Sequence, residues 1–211
     1  MTIEYGVPEF RCIKDQNRIK LSGVMEFNSY NKVGEHIYTL SERNNVKKII
    51  IDFSAVEGVK NCEMLAVIAI IINYREQKNT DFELLLPKNE YLNRLFHNAN
   101  YAHYIDPLTF KKSSLDSISN FPAKRFLNDD ERNQYVSEIM EIILQTTNEL
   151  SRDSFRNLEW ALNEITDNVL VHSKSKIGGL IQMTQFPKSK IFEFTVADFG
   201  IGIPRTLERA Y

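Results

Sequence analysis

A run of β-branched residues followed by a long apolar segment constrains this chain more than any other feature of its sequence. Residues 46–53 read VKKIIIDF, the composition of a strand that is buried on both faces. Residues 64–72 read MLAVIAIII, which is too short to cross a membrane and fits a buried helix. A buried strand followed by a buried helix predicts a sheet with helices packed against it.

The rest of the first half repeats this alternation of strands and helices. Strands are indicated by alternating apolar and polar residues or by short apolar runs, and helices by apolar residues three and four positions apart. In chain order, these patterns predict a hairpin over 10–21, helices over 30–43 and 62–77, a strand over 82–87 and a helix over 89–98.

Two domains joined by a linker are predicted. The first covers residues 1–107. Residues 108–128 are rich in serine and contain Pro122, which is typical of a linker, and one short strand is predicted at 124–127. Residues 129–211 form the second domain. The predicted fold class of the whole chain is α/β, or α+β.

The composition argues against several classes of protein. A formal net charge of −2 and an isoelectric point near 6.1 do not suit a protein that mainly neutralises nucleic-acid phosphates. Two cysteines, Cys12 and Cys62, are too few for a disulfide framework. The first residues do not resemble a signal peptide. We therefore expect a cytoplasmic location, with no membrane and no nucleic acid among the partners.

Residues 49–56, IIIDFSAV, together with the order of strands and helices around them, resemble the STAS domain of anti-sigma-factor antagonists. In that family, a phosphorylatable serine lies at the start of the helix that follows this strand. Here Lys60, Asn61 and Cys62 occupy that place, and neither asparagine nor cysteine accepts a phosphate as an ester. The resemblance implies a STAS-like α/β domain that binds a regulatory protein partner. The alternative is an α/β scaffold for partner docking without kinship to that family.

The second half carries a polar cluster on a predicted helix. Residues three and four apart share a helical face, so Glu164, Asp167 and Asn168 are expected to project together while Ile165 and Val169 face the core. An amide oxygen suits a hard cation such as Mg²⁺, which keeps most of its waters and bridges phosphates. A carboxylate one turn away is suited to orient or deprotonate a water.

A hairpin and a glycine-containing loop are predicted after this helix. Residues 178–186 and 190–197 alternate apolar and polar side chains around a turn at 187–189. The second strand leads directly into residues 198–203, DFGIGI. Two glycines one residue apart allow the backbone to turn sharply and to approach a flat ligand closely. Asp198, at the end of the strand, is placed to accept a hydrogen bond from an amino group.

Glu-x-x-Asp-Asn on a helix and Asp-x-Gly-x-Gly after a hairpin, in this order, resemble the N-box and G1-box of the GHKL ATPase superfamily. This superfamily includes gyrase-type topoisomerases, sensor histidine kinases and anti-sigma-factor kinases. The resemblance implies a Bergerat-type α/β sandwich that binds ATP and Mg²⁺. It implies that Glu164 is the general base, that Asn168 is the Mg²⁺ ligand and that Asp198 accepts from the adenine amino group. The other residues expected at the nucleotide are Asp167, Gly200, Gly202 and Ile203.

The sequence ends at Tyr211, just after the G1-box, so the predicted sandwich is expected to be incomplete. The superfamily continues with a lid, a second glycine-rich box and further strands. The chain is therefore expected to be either a fragment or a short protein completed by a partner. An open sheet edge also favours pairing with another chain, including a second copy in a homodimer.

Three functions remain open from the sequence. The leading hypothesis is an ATP-binding signalling or regulatory protein, an ATPase or protein kinase if a lid and a second glycine box follow. The second is a non-catalytic regulatory module that binds a partner. The third is a DNA-topology or repair ATPase, against which the acidic balance counts.

Other conspicuous side chains are expected to be structural. His36, His97 and His103 have no partners at the spacing of metal ligands. Cys12 lies in a predicted strand and is expected to pack as a small apolar residue. Trp160, on the helix that carries Glu164, is expected to belong to the core.

Overall fold

The computed structural model describes residues 7–113, 120–147 and 150–200. They belong to two units, Met1–Ser113 and Ser114–Tyr211. Across the described residues, six helices accompany a four-stranded mixed sheet and a three-stranded antiparallel sheet. The mixed α/β class predicted from the sequence is therefore confirmed.

The first unit is built on a sheet with the strand order β1-β2-β3-β4. β1 is antiparallel to β2, as the predicted hairpin requires, whereas β2, β3 and β4 run parallel. The central strand β3 is longer than the sequence indicates. The strands are β1 Arg11–Asp15, β2 Arg18–Met25, β3 Lys48–Val59 and β4 Asp81–Leu85.

Helices make the crossovers that parallel strands require. One of them, α2, is apolar on nearly all sides and is buried along most of its length, as the sequence predicts. The described helices include none long and apolar enough to cross a bilayer. In this unit they are α1 Ser29–Tyr38, extended by a π-helical turn Thr39–Arg43, then α2 Asn61–Lys78, α3 Glu90–Asn98 and the short α4 Tyr101–Ile105.

A buried carboxylate links two strands of this sheet. Asp52 on β3 is 5% exposed, and its Oδ2 accepts hydrogen bonds from Arg18 on β2, including one from Nε at 3.0 Å. Its Oδ1 accepts from the backbone N–H of Ser54 at 2.9 Å. Burial opposes the ionisation of Asp52, but the hydrogen bonds from Ser54 and the charge of Arg18 outweigh it and hold the pKa of this carboxyl below its usual value.

The second unit has an antiparallel sheet in the order β5-β6-β7. The strand predicted at 124–127 is present as β5 and pairs with β6, so it is an integral part of this sheet. Two helices, α5 and α6, connect β5 to β6. The elements are β5 Asn120–Phe126, α5 Asp129–Thr146, α6 Arg152–Val171, β6 Gly179–Phe186, a 3₁₀ turn Pro187–Ser189 and β7 Ile191–Asp198.

The buried face of α6 differs from the predicted one. Val169 is buried, as expected, but its companions are Leu162 and Thr166. Ile165 is 50% exposed and Trp160 is 68% exposed, so the prediction that these two side chains face the core is wrong. The hydroxyl of Thr166 is tolerated in the core because it donates to the carbonyl oxygen of Leu162, one turn earlier, at 2.8 Å.

Candidate functional site

Two polar side chains of α6 are exposed one helical turn apart. Glu164 and Asn168 are separated by four residues and therefore share a face of the helix. Within the described part of the chain, neither side chain makes a hydrogen bond or an ion pair. Both are consequently available to a ligand without breaking an existing interaction.

Asp167, the third polar residue of this cluster, is already engaged. Its Oδ1 accepts a hydrogen bond from Arg132 Nη1 at 2.7 Å. The arginine lies in α5, so the ion pair joins the two helices of the second unit. Sequence reasoning did not single out Arg132. The signal was a lone basic residue in the acidic start of α5, which reads DDER.

Asp198 ends β7 and starts the loop that contains Gly200. Its Oδ1 accepts a hydrogen bond from the backbone N–H of Gly200 at 2.6 Å, which folds the loop back over the carboxylate. The residue is exposed, and its other carboxylate oxygen makes no hydrogen bond to the described residues. One oxygen therefore shapes the loop while the other can accept from a ligand.

The strand register brings Asp198 to the end of α6 that carries Asn168. Asp198 lies opposite Gly179 in the β6–β7 ladder. A Cβ on Gly179 would lie 2.7 Å from Cγ1 of Val169, the residue that follows Asn168. Only a residue without a side chain fits at this distance. Asp198 and the segment of α6 that contains Asn168 and Val169 therefore lie on either side of Gly179.

The loop after Asp198 packs directly on the chain that leaves α6. A Cβ on Gly200 would lie 2.2 Å from the carbonyl oxygen of Ser173. The backbone N–H of Phe199 donates to Ser175 Oγ at 3.3 Å. Ser173 is itself held to the helix, because its Oγ donates to the carbonyl oxygen of Val169 at 2.6 Å. These contacts fix the position of the loop relative to the helix.

Ser173, Ser175 and the pair Gly178-Gly179 were missed by sequence reasoning. Gly178 has a φ of +67°, and a Cβ there would lie 2.2 Å from the carbonyl oxygen of Phe126. Adjacent glycines between a helix and a strand are a readable signal of such close backbone contact. The serines carried no signal, because their role depends on the tertiary contact with the loop at 198–200.

Two of the predicted nucleotide contacts, Gly202 and Ile203, lie outside the described residues. Gly200 is described and lies in the loop at the close contact with Ser173. Of the predicted site residues, Glu164, Asp167 and Asn168 are thus on α6, and Asp198 and Gly200 are at its C-terminal end.

A separate groove is found in the first unit. It encloses about 320 Å³ and is lined by residues 7–10, 24, 26–29 and 32. Glu26 and Lys32 contribute both signs of charge, and Phe27 is largely exposed beside them. This mixed lining does not select one class of ligand, so the groove does not define a chemistry.

The comparisons with known proteins leave the family open. No protein-family model matches the chain, and a search of curated proteins finds no match. Among the described residues, no group of three or more His, Cys, Asp and Glu side chains is arranged to hold a metal ion. A cation bound beside Asn168 would therefore need other ligands, such as the amide oxygen of this residue and phosphate oxygens.

Proposed function

We propose that the second unit is a GHKL-type nucleotide-binding unit and that the chain is an ATP-binding signalling or regulatory protein. One observation carries the proposal: the loop Asp198–Gly200 packs against the chain leaving α6, at the end where Asn168 lies. Asp198 and Asn168, the proposed purine acceptor and cation ligand, thus lie on neighbouring segments of the same small unit. Neither motif alone would support this conclusion.

Asp198 is proposed to read the adenine ring. Its Oδ1 is held by the N–H of Gly200, so the side chain is oriented before a ligand arrives. The remaining oxygen accepts a hydrogen bond from an exocyclic amino group, which adenine has and hypoxanthine lacks. Discrimination of this kind is strong, because a carboxylate and a carbonyl oxygen both accept and cannot bond to each other.

Asn168 and Glu164 are proposed to serve the phosphate end. The amide oxygen of Asn168 is a suitable ligand for Mg²⁺, which would bridge the phosphate oxygens and neutralise their charge. Glu164, one turn earlier on the same exposed face, is placed to orient a water or to accept a proton from it. Neither side chain needs to leave another described partner in order to do so.

The full chain supplies its own reporter for a binding test. Trp160 is the single tryptophan, it is exposed, and it lies one turn before Glu164 on α6. We expect Mg-ATP to change its fluorescence and calorimetry to give the same dissociation constant. The variant Asp198→Asn should abolish binding, and inosine triphosphate should fail to replace ATP.

A matched control tests whether the loss of any acidic side chain in the second unit weakens nucleotide binding. Asp153, in the first turn of α6, is exposed and has no side-chain partner among the described residues. The variant Asp153→Asn should bind Mg-ATP as the wild type does. Absence of binding by the wild type at millimolar nucleotide, or unchanged binding by Asp198→Asn, would refute the proposal.

A second candidate function, a non-catalytic module that binds a protein partner, is favoured by the exposed apolar residues of α6. Trp160 and Val171 are 68% and 58% exposed and are eleven residues apart, so they share one face of α6. Exposed apolar side chains on one helix face are typical of a protein contact surface. Turnover separates the two functions. Phosphate release or protein phosphorylation that is lost in Glu164→Gln, with ATP binding retained, indicates an enzyme. Binding by the wild type without turnover indicates a switch.

The first unit is proposed to be the partner-binding half, with a STAS-like arrangement. The support is its sheet, in which one antiparallel strand precedes three parallel strands connected by helices. At the start of α2, the Asn61 side chain accepts from the hydroxyl of Tyr101 at 2.8 Å, and Cys62 is exposed. Mass spectrometry after incubation with Mg-ATP should find no phosphate on residues 60–62. A phosphate there would contradict the expectation that this loop has lost the phosphorylation site of the STAS family.

A further inference from the structure

Arg132 occupies an unusual position for a charged residue. Its side chain is only 14% exposed, which costs hydration of the guanidinium group unless acidic partners compensate. Nη1 donates to Asp167 at 2.7 Å, and Nη2 donates to Asn133 at 3.0 Å and lies 3.3 Å from Asp129. Nε has no hydrogen-bond partner, and it is the one buried side-chain nitrogen or oxygen of the described residues in this state.

The partner of this arginine lies inside the polar cluster of α6. Asp167 immediately precedes Asn168 and is three residues after Glu164. Successive residues of a helix are rotated by about 100° around its axis, because a turn has 3.6 residues. An ion pair at Asp167 therefore restrains the rotation of α6 and, with it, the directions in which the exposed side chains of Glu164 and Asn168 point.

Hydrophobic contacts also restrain this rotation, but they are not directional. On α6 they come from Phe155, Leu158, Leu162, Val169 and Leu170. Its buried residues include a threonine between Leu162 and Val169, and apolar residues are also present on its exposed side at 160 and 165. A helix that is apolar on more than one side can turn about its axis without losing all of its apolar contacts. The ion pair to α5 adds a directional contact that apolar packing does not provide.

We propose that Arg132 is a positioning residue, whose ion pair with Asp167 fixes α6 so that Asn168 presents its amide oxygen to nucleotide-bound Mg²⁺. The inference rests on the proposed function. It also gives Asp167 a different role from the one that the sequence resemblance implies: Asp167 binds Arg132 and does not contact the nucleotide. Arg132 in turn acts through Asp167 and Asn168 and does not touch the ligand.

The test measures how much Mg²⁺ strengthens ATP binding by the full chain. Affinities are determined by calorimetry with Mg²⁺ and with a chelator, and their ratio is the metal-dependent gain. Arg132→Met retains the apolar stem and removes the charge. We expect it to lower the gain about tenfold or more, as losses of residues that orient metal ligands do. The affinity for ATP in the presence of the chelator depends on Asp198 and should change by less than about threefold. A change of that size is smaller than the loss of one strong hydrogen bond.

Two further variants distinguish positioning from general stability. Lys124→Met breaks a comparable ion pair of the same unit, between β5 and Glu138 of α5, and should lower the melting temperature while leaving the metal-dependent gain intact. The exchange Arg132→Asp with Asp167→Arg restores an ion pair between the helices and should recover most of the gain lost in Arg132→Asp alone.

The outcomes separate this inference from the proposed function. A metal-dependent gain in the wild type that persists in Arg132→Met overturns the inference and leaves the function standing. An equal fall in affinity with and without Mg²⁺ overturns it too, because it indicates a purely structural role. Wild-type protein that does not bind ATP overturns the function and the inference together.

Discussion

A Cβ atom on Gly200 would lie 2.2 Å from the carbonyl oxygen of Ser173. The obstacle is backbone at the end of α6, not the flexible tip of a side chain, so the loop or the helix end must move to accept an alanine. We predict that Gly200→Ala destabilises the second unit or displaces the loop, at a cost of about 1–3 kcal/mol. Thermal unfolding and Mg-ATP affinity together measure both responses.

Gly34→Ala is the matched control for this change. A Cβ on Gly34 of α1 would meet only the Cδ1 atom of Ile70, at 3.1 Å, and that methyl group can give way. Alanine is also favoured over glycine inside a helix by about 1 kcal/mol. Gly34→Ala should therefore melt near the wild-type temperature and leave nucleotide binding unchanged. If Gly200→Ala also melted and bound Mg-ATP as the wild type does, the loop would not need its close contact with Ser173.

The second prediction concerns the face of α6 that is buried. Leu162 is 2% exposed and packs in the core of the second unit, whereas Ile165 is 50% exposed. We expect Leu162→Ala to lower the free energy of unfolding by about 2–5 kcal/mol, the cost of a cavity in a packed core. Ile165→Ala should change it by no more than about 0.5 kcal/mol. Urea unfolding followed by circular dichroism measures both, and a larger loss for Ile165→Ala would place the opposite face in the core.

The sequence predicted the first unit well because its signals are local and strong. The run at 46–53 and the apolar segment at 64–72 each have one stable placement, a central strand and a helix covered on nearly all sides. The short helix α4 was not predicted. It begins after Asn100, which has a φ of +64°, and five residues are too few to show a helical period.

The orientation of α6 was not predictable from the spacing of its apolar residues. Residues 158, 162, 166 and 169 form one stripe, and 161, 165 and 169 form another that contains no polar residue. The structure buries the first stripe, where the hydroxyl of Thr166 is satisfied by the helix backbone. Which stripe is buried depends on contacts with the sheet β5-β6-β7, and these contacts form only in the tertiary structure.

The candidate site was predictable in part. The exposed pair Glu164 and Asn168 and the strand end at Asp198 follow from local periodicity and turn residues. The tertiary contacts around them, between Phe199 and Ser175 and between Arg132 and Asp167, link residues 24 and 35 positions apart. No local pattern specifies such pairs.

The third prediction concerns the two thiols. Burial raises the pKa of the Cys12 thiol to about 12, so only about one molecule in ten thousand carries the reactive thiolate at pH 8. Cys62 is exposed in the first turn of α2. A chromogenic disulfide reagent should therefore titrate one thiol quickly in the native chain and two in denaturant. Cys62→Ser should remove the fast reaction and Cys12→Ser should keep it. Equal rates for both thiols in the wild type would contradict the assignment.

The fourth prediction concerns the acid stability of the first unit. The folded-state pKa of Asp52 is lowered, so its ionised form contributes stability that is present above the unfolded-state pKa, about 3.9. That contribution is lost as the pH falls through the folded-state value, because protonation then weakens the bond to Arg18. At pH 7, Asp52→Asn should cost about 1–3 kcal/mol, the range for leaving a buried polar partner unpaired. Below about pH 3.9 the difference from the wild type should shrink.

Asp81→Asn is the matched control for Asp52→Asn. Asp81, at the start of β4, is exposed, and its side chain makes no hydrogen bond or ion pair with the described residues. Its replacement should therefore alter stability little at any pH. Urea midpoints between pH 3 and pH 7 measure both variants against the wild type. Protonating the carboxyl of wild-type Asp52 removes the same charge that the substitution removes, so the stability deficit of Asp52→Asn should shrink on acidification. A deficit that stayed constant or grew would show that the ion pair with Arg18 does not stabilise the first unit.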